Sequence, residues 1–205
     1  MSKTETTTMT TTVVYNDDKT HRYLLRKEWD SEKPSAEIIM LYPSFADTIT
    51  VDHTTMFVLQ NLEQMDYGSV SIVNIFSNVN GKHSVTDIDE ENLMYIEQCA
   101  EKSDVIIFAT GTGGDGNKNV LQMQKEVLEM LAPYKSKLKC IADRSGRKFY
   151  HSLCPTVRKW TLADFEFTEL KAFQQEETPK TPAPAPTFKA VEPKRKSNKK
   201  SKATS

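Results

Sequence analysis

The sequence predicts an α/β protein: a three-layer α/β/α sandwich whose mostly parallel central sheet has four core strands and an N-terminal edge strand. Four short runs are rich in Ile, Val, Leu and Phe and are continuously apolar, which is typical of strands covered on both faces. The segments between these runs carry apolar residues at helical spacing. This alternation of strand and helix favours parallel strands joined by right-handed crossovers.

The four apolar runs are the predicted core strands and span residues 37–42, 69–76, 104–110 and 138–142. The predicted helices between them span residues 54–65, 89–102 and 118–131. Asp89 is expected to cap the second helix. Ahead of the first run, residues 21–29 alternate between apolar and polar side chains, with Arg22 and Arg26 on the polar face, so we expect this segment to pair at an edge of the sheet.

Composition divides the chain into one folded domain and two tails. Residues 1–12 form a threonine-rich leader that is expected to be disordered, and residues 13–171 are expected to form a single α/β domain. Residues 172–205 are expected to form a disordered proline-rich linker and a basic tail. That last segment holds 8 Lys and Arg against 3 Glu, a net charge of +5, whereas the rest of the chain has a net charge of −6.

The basic tail predicts contact with nucleic acid or another polyanion, and a purely solubilising tail is the alternative. Its expected contact residues are Lys194, Arg195, Lys196, Lys199 and Lys200. No apolar run approaches the ~18 residues of a membrane span, and the first residues lack a secretory signal, so a cytoplasmic protein is expected. The three widely spaced cysteines and four scattered histidines indicate neither a metal site nor a cofactor.

Candidate site residues follow the predicted parallel strands, where ligand sites of open α/β sheets form. They are Tyr42, Ser44 and Asp47 after the first core strand, Asn74 at the end of the second, Gly111 after the third and His151 after the fourth. We expect all six to meet in one cleft. The Asn74 amide could read the edge of a nucleobase, or it could bond a neighbouring loop. His151 could act on a ligand, or it could be an ordinary surface histidine.

Residues Gly111–Gly116 match the pattern G-x-G-x-x-G between a predicted strand and a predicted helix. Such glycines can bring backbone amides against a pyrophosphate, so a nucleotide-binding protein is one alternative. Asp115 would place a carboxylate beside the phosphates, and the motif lies in the third strand–helix unit rather than the first. A glycine-rich turn beside a site is therefore the favoured interpretation.

The ordered segments R-Y-L-L-R-K-E-W-D, I-I-M-L-Y-P-S-F-A-D-T, D-H-T-T and S-I-V-N-I-F resemble the bacterial and phage family called domain of unknown function 1643. That family shows R-Y-x-L-x-R-x-W, M-L-N-P-S-x-A-D, V-N-L-F and a late H-P-L segment. The resemblance covers residues 21–155. The family pattern is in turn distantly similar to the uracil-DNA glycosylase fold, a parallel sheet between helices.

The glycosylase likeness implies roles for three positions. Tyr42 would stand at the water-activating position, Asn74 would read an extruded base, and His151 would stabilise the departing base. Two departures matter: Tyr42 replaces the Asn of the family, and the histidine segment reads H-S-L. A phenol with an ordinary pKa near 10 is not a general base near neutral pH, which leaves Asp47 as the nearest carboxylate to orient water.

Two functions of different classes follow. The first is a protein that binds a nucleobase, nucleotide or nucleic acid in a glycosylase-like cleft. If it is an enzyme, we expect a glycosylase-like hydrolase with Asp47 and His151 as the catalytic residues. The expected ligand-binding residues are Tyr42, Ser44, Asn74 and Gly111. The second is a non-catalytic interaction protein whose acidic body and basic tail recruit a nucleic acid or a protein partner. The tyrosine at position 42 favours a non-catalytic protein.

Overall fold

The structure, a computed structural model, describes residues 2–79, 89–112, 114 and 116–169. Its strands are β1 (Thr10–Tyr15), β2 (Arg22–Glu28), β3 (Ser35–Met40), β4 (Ser69–Asn74), β5 (Val105–Phe108), β6 (Leu138–Ala142) and β7 (Thr161–Asp164). Its α-helices are α1 (His53–Gln64), α2 (Glu90–Lys102) and α3 (Lys118–Met130). Two 3-10 helices, Ala132–Lys137 and Phe167–Glu169, follow α3 and β7.

The described strands form one seven-stranded mixed sheet in the order β1-β2-β4-β3-β5-β6-β7. Its centre is parallel: Ile39 of β3 pairs with Val73 of β4 on one side and with Phe108 of β5 on the other. Strand β6 continues the parallel set beyond β5. The four predicted core strands are therefore confirmed as adjacent parallel strands of an α/β fold.

Three features of the sheet differ from the prediction. Strands β1, β2 and β7 are antiparallel to their neighbours, so the sheet is mixed rather than mostly parallel. Strand β2 lies between β1 and β4 and is not the edge. Strand β1 begins at Thr10, inside the predicted leader of residues 1–12. Both missed strands, β1 and β7, are half-exposed edge strands without a continuous apolar run, which is why hydrophobicity did not predict them.

Helices cover both faces of the sheet. Successive strand residues point to opposite faces, so Ile38 and Ile39 of β3 belong to different apolar clusters. The cluster with Ile39 contains residues of α2 and α3, and the cluster with Ile38 contains residues of α1 and of the segment before β7. As predicted, Asp89 caps α2, where its side chain accepts a hydrogen bond from the backbone N–H of Asn92.

The connections out of the parallel strands create a crevice at their carboxyl ends. The chain leaves β3 through α1 to reach β4 on one side, and it leaves β5 through α3 to reach β6 on the opposite side. The loops after β3 and β5 therefore diverge, which is where α/β sheets bind ligands. Among the described helices, none is long and apolar enough to cross a membrane.

Candidate ligand-binding site

A cavity of about 800 Å³ opens at this crevice. We call it the β3–β5 cavity. Its lining comes from three segments that follow parallel strands: Leu41 and Tyr42 after β3, Thr110–Thr112 after β5, and residues 147–151 and 153–155 after β6. Three of the predicted site residues, Tyr42, Gly111 and His151, thus line one cavity at the predicted edge of the sheet.

Gly111 and His151 form the tightest part of the wall. Gly111 has φ +66°, and a Cβ at this position would lie 2.8 Å from Cβ of His151. Such a separation is too short for two carbon atoms, and a positive φ strains any residue with a Cβ. Only glycine therefore allows the loop after β5 to lie directly against the histidine.

His151 is half-buried, and its ring has a defined orientation. Its Nδ1 atom accepts a hydrogen bond of 3.1 Å from the backbone N–H of Leu153, and burial lowers the pKa of the imidazole below 6.5. An Nδ1 atom that accepts from a backbone N–H carries no proton of its own. The neutral ring therefore bears its proton on Nε2, and His151 presents a hydrogen-bond donor.

Helix α1 anchors the segment that follows His151. The Asn61 amide nitrogen donates to the carbonyl of Arg158 at 3.2 Å, and its amide oxygen accepts from the backbone N–H of Trp160 at 2.9 Å. The hydroxyl of Ser152 donates to the Met40 sulfur of β3 at 3.1 Å. These bonds, two of them buried, hold this wall of the cavity on β3 and α1.

The aromatic lining residues of the cavity include Tyr42 and Phe149, and each packs against a further ring behind the wall. Tyr42 stacks on Phe76 with ring centroids 5.3 Å apart, and Phe149 meets Phe165 edge-to-face at 5.4 Å. Phe149 has φ 64°, an uncommon conformation for a bulky residue and one that tends to occur at ligand sites. Burial raises the pKa of the Tyr42 phenol, so this side chain stays neutral near pH 7.

The charged lining residues of this cavity that the structure describes are basic. They are Arg147 and Lys148, and the described lining contains no carboxylate. The nearby Asp143 is held in the turn before them: its carboxylate accepts from the hydroxyls of Ser145 at 2.7 Å and Tyr150 at 2.9 Å. Chiefly the Ser145 bond lowers the pKa of Asp143 to about 2.

A second cavity of about 430 Å³ contains two other predicted residues. We call it the Arg22 cavity, and its lining consists of Tyr15, Lys19, Arg22, Ser44, Phe45, Ala46, Asp47, Thr48 and Val79. Ser44 and Asp47 are thus separated from His151. The single cleft predicted for all six residues is divided into two cavities, with Tyr42 in one and Ser44–Thr48 of the same loop in the other.

Arg22 is central to the second cavity, although the sequence placed it on the polar face of an edge strand. It is 1% exposed. Its Nη1 atom donates to the carbonyls of Ser44 at 3.1 Å and Ala46 at 2.6 Å, and its Nη2 atom donates to Asn74 Oδ1 at 3.3 Å. The pairing of β1 with β2 skips Tyr23, and such a bulge redirects neighbouring side chains.

Asn74 and Asp47 have local partners. Asn74 is 1% exposed, lines neither cavity, and accepts at its backbone carbonyl from the amide of Asn92 at 2.9 Å. Asp47 Oδ1 accepts from the backbone N–H groups of Thr50 at 2.7 Å and Ile49 at 2.8 Å, and these bonds lower the pKa of its carboxyl. In this geometry Asn74 positions Arg22, and Asp47 stabilises a turn.

The glycine segment shows a packing role at Gly114, where a Cβ would lie 2.3 Å from a Val120 methyl group of α3. Asn117 caps α3, accepting from the backbone N–H groups of Asn119 at 3.0 Å and Val120 at 3.4 Å. Two amides that would face a phosphate are thus already bonded. Residues 113 and 115 of this segment lie outside the described residues.

The predicted nucleic-acid contacts of the tail also lie outside the described residues, as does the whole of residues 172–205. Within the part of the chain that the structure describes, no three His, Cys, Asp or Glu side chains are grouped as a metal site would require. Sequence reasoning missed Arg22 and Phe149. Arg22 is the first residue of the segment R-Y-L-L, whose resemblance to the family pattern could have indicated its importance. Nothing in the sequence indicates the positive φ of Phe149.

Comparison with known proteins identifies one family. The family model described as "Protein of unknown function (DUF1643)" matches residues 22–153, which include both the first motif and His151. No curated protein and no solved structure matches the chain, so these comparisons do not bear on the likeness to uracil-DNA glycosylases. The match spans well over half of the chain, and the protein belongs to the DUF1643 family.

Proposed function

We propose that this protein binds a nucleobase-bearing ligand, either a nucleotide or a base of a nucleic acid, in the β3–β5 cavity. The observation that carries the proposal is His151: a half-buried neutral imidazole whose Nδ1 is bonded to Leu153 and whose Nε2–H is left as a donor. A donor of this kind suits a carbonyl or phosphate oxygen of a ligand.

The size and chemistry of the cavity support the same ligand class. A volume of about 800 Å³ lies within the usual range of ~300–1,000 Å³ for small-molecule sites. Tyr42 and Phe149 offer aromatic surfaces to a planar base, and Arg147 and Lys148 offer positive charge to a phosphate.

Binding without hydrolysis fits the arrangement better than catalysis. The predicted water-orienting residue, Asp47, lines the other cavity and is bonded to its own turn. The Tyr42 phenol is neutral, and the described lining of the β3–β5 cavity holds no carboxylate. His151 then serves as a fixed donor to the ligand rather than as a general base.

Glycosylase-like hydrolysis is the second candidate, because Tyr42 and His151 line one cavity as the family likeness implies. The variant Tyr42→Asn restores the side chain that the family carries. Release of a base from modified DNA by this variant or by the wild-type protein would favour the enzyme. Tight DNA binding without base release by either protein would favour the non-catalytic form.

Two isosteric variants of His151 test the binding proposal. In His151→Asn, the amide oxygen can replace Nδ1 and accept from Leu153, but the Nε2–H donor is lost. In His151→Gln, the terminal amide can replace the Nε2–H donor. We expect the Asn variant to lose about 10- to 100-fold in affinity, in line with ~1–3 kcal/mol for an unpaired buried group, and the Gln variant to lose less.

The measurement is equilibrium binding of nucleoside monophosphates and short single-stranded DNA to the full chain. His53→Gln is the matched control, because His53 is exposed at the start of α1. Equal affinities of wild-type, His151→Asn and His53→Gln proteins for every ligand would overturn the proposal.

A further inference from the structure

We propose that the Arg22 cavity is a second, separate binding site, which takes the phosphate group of a ligand. Arg22 lines this cavity and is 1% exposed, and its Nε–H donor has no partner among the residues that the structure describes. The inference rests on this cavity alone and holds whether or not the β3–β5 cavity binds a nucleobase.

Arg22 is a buried cation whose direct hydrogen-bond partners are all neutral. Its three hydrogen bonds go to two carbonyls and an amide oxygen, all of them neutral, and it forms no ion pair with a carboxylate of the described residues. A buried cation is costly unless an anion pairs with it. The carbonyls of Ser44 and Ala46 and the amide of Asn74 fix the guanidinium in place. The carboxylate of Asp52 attracts Arg22 without forming an ion pair with it. An oxyanion in the cavity would give the guanidinium a directly bonded counter-charge.

A second cation, Lys19, lies at the rim of the Arg22 cavity. Lys19 is exposed and lines the same cavity from the turn between β1 and β2. Side chains hold this turn: Asn16 Oδ1 accepts from the backbone N–H of His21 at 2.9 Å, and Asp18 Oδ1 accepts from that of Thr20 at 3.0 Å. Two cations, one fixed and one flexible, suit a phosphate with up to two negative charges.

An exposed aromatic ring at the same cavity indicates which kind of molecule carries the phosphate. Phe45 lines the same cavity and is 89% exposed, as is Ile49 in the same loop. An exposed aromatic ring beside a cationic cavity offers a stacking surface for a base. The phosphate would then belong to a nucleotide or a polynucleotide.

Asp47 opposes this ligand and thereby provides a sharp control. Its carboxylate lines the cavity and is ionised, because bonds from Thr50 and Ile49 lower its pKa. In Asp47→Asn, the amide oxygen still accepts from both backbone N–H groups, but the negative charge is gone. A phosphate site must therefore bind more tightly in this variant, whereas a site for a cationic group must bind less tightly.

The probe is inorganic phosphate, titrated into the full chain and followed by amide chemical shifts around residues 19–22 and 44–47. Asp47→Asn should raise the affinity several-fold. Asn74→Asp should abolish saturable binding, because it gives Arg22 a carboxylate partner while it keeps the hydrogen bond. Lys19→Gln should weaken binding about two- to fivefold, as is usual for an exposed ion pair. Lys102→Gln is the control, because Lys102 ends α2 just before β5 and so lies near the amino ends of the parallel strands. This variant should leave phosphate affinity unchanged.

Phe45→Ala separates the sources of the phosphate. In either case it should leave the binding of inorganic phosphate unchanged. If the ligand is a nucleotide, the variant should weaken the binding of a nucleoside monophosphate. If the ligand is a polynucleotide, the variant should weaken only the binding of a short single-stranded DNA. Phosphate binding that survives in His151→Asn would establish that the two cavities act separately. Absence of saturable phosphate binding in both the wild-type protein and Asp47→Asn would overturn the inference, as would weaker binding in Asp47→Asn.

Discussion

The backbone of Gly111 lies against the side chain of His151, so closely that a Cβ at position 111 would stand 2.8 Å from the histidine Cβ. This contact predicts the effect of Gly111→Ala. The variant adds both a clash and a strained positive φ, so we expect the free energy of unfolding to fall by about 1–3 kcal/mol and nucleotide affinity to fall with it. Denaturant unfolding and ligand titration measure the two effects.

Gly116→Ala is the matched control for that prediction, because a Cβ at Gly116 would meet no atom of the described residues within 4 Å. We expect wild-type affinity in this variant. A Gly111→Ala protein that binds nucleotides as tightly as the Gly116→Ala protein would contradict the role of the Gly111–His151 contact in shaping the cavity.

The protonation of His151 predicts a pH dependence of stability. Burial lowers the pKa of this imidazole in the folded state, so the unfolded chain binds a proton more readily. The free energy of unfolding should therefore decrease as the pH falls below about 6.5, and His151→Asn should reduce that decrease. Urea titrations at pH 7.5, 6.5 and 5.5 test this, with His53→Gln as control. An identical pH dependence in the wild-type and His151→Asn proteins would rule it out.

Glu37 predicts a pH dependence of the opposite sign. This carboxyl of β3 is fully buried, and neither of its oxygens has a partner within the described part of the chain. Burial raises its pKa well above 4.5 despite the charge of Lys137. The folded state then retains a proton that the unfolded chain releases, so stability should decrease as the pH rises above about 4.5, by at most about 1.4 kcal/mol per pH unit.

The variant Glu37→Gln has nearly the same shape and cannot ionise. It should gain stability relative to the wild-type protein as the pH rises from 5 to 8, measured by the same urea titrations. A constant difference between the two proteins over that range would show that Glu37 does not change its protonation on unfolding.

The basic tail remains a prediction from the sequence, because it lies outside the described residues. If Lys194, Arg195, Lys196, Lys199 and Lys200 contact nucleic acid, removal of residues 190–205 should weaken DNA binding at low salt and flatten its salt dependence. Binding at two salt concentrations, with and without these residues, decides between this role and a solubilising one. Identical affinities would remove the tail from the functional account.

The sequence predicted the parts of the fold that depend on continuous apolar runs. Strands β3, β4, β5 and β6 and helices α1, α2 and α3 lie within a few residues of their predicted bounds. Edge strands β1 and β7 lack such runs, because one or both of their faces meet solvent, and their pairing is set by partners distant in the sequence. Single-sequence patterns do not contain that information.

The location of the candidate site was predictable from the sequence, but its separation into two cavities was not. Topology alone places Tyr42, Gly111 and His151 at one edge of the sheet. That Ser44 and Asp47 turn into another cavity depends on Arg22, which holds the carbonyls of the loop and reaches its position beside a bulge at Tyr23. A bulge adds one residue to a strand and leaves no mark in the pattern of polar and apolar residues. The alternation of apolar and polar residues therefore predicted, wrongly, that Arg22 lies on the exposed face.

The most direct test of the proposed function observes the His151 ring itself. In ligand-free protein with 15N-labelled histidine at pH 7.5, we predict that the His151 ring is neutral and carries its proton on Nε2. The signals of His151 are those that disappear in the His151→Asn variant. A nucleoside monophosphate or a short single-stranded DNA should shift the Nε2 signal in a saturable way while Nδ1 stays bonded to Leu153. A ring protonated on Nδ1, or His151 signals unchanged by every nucleotide and DNA tested, would contradict the account.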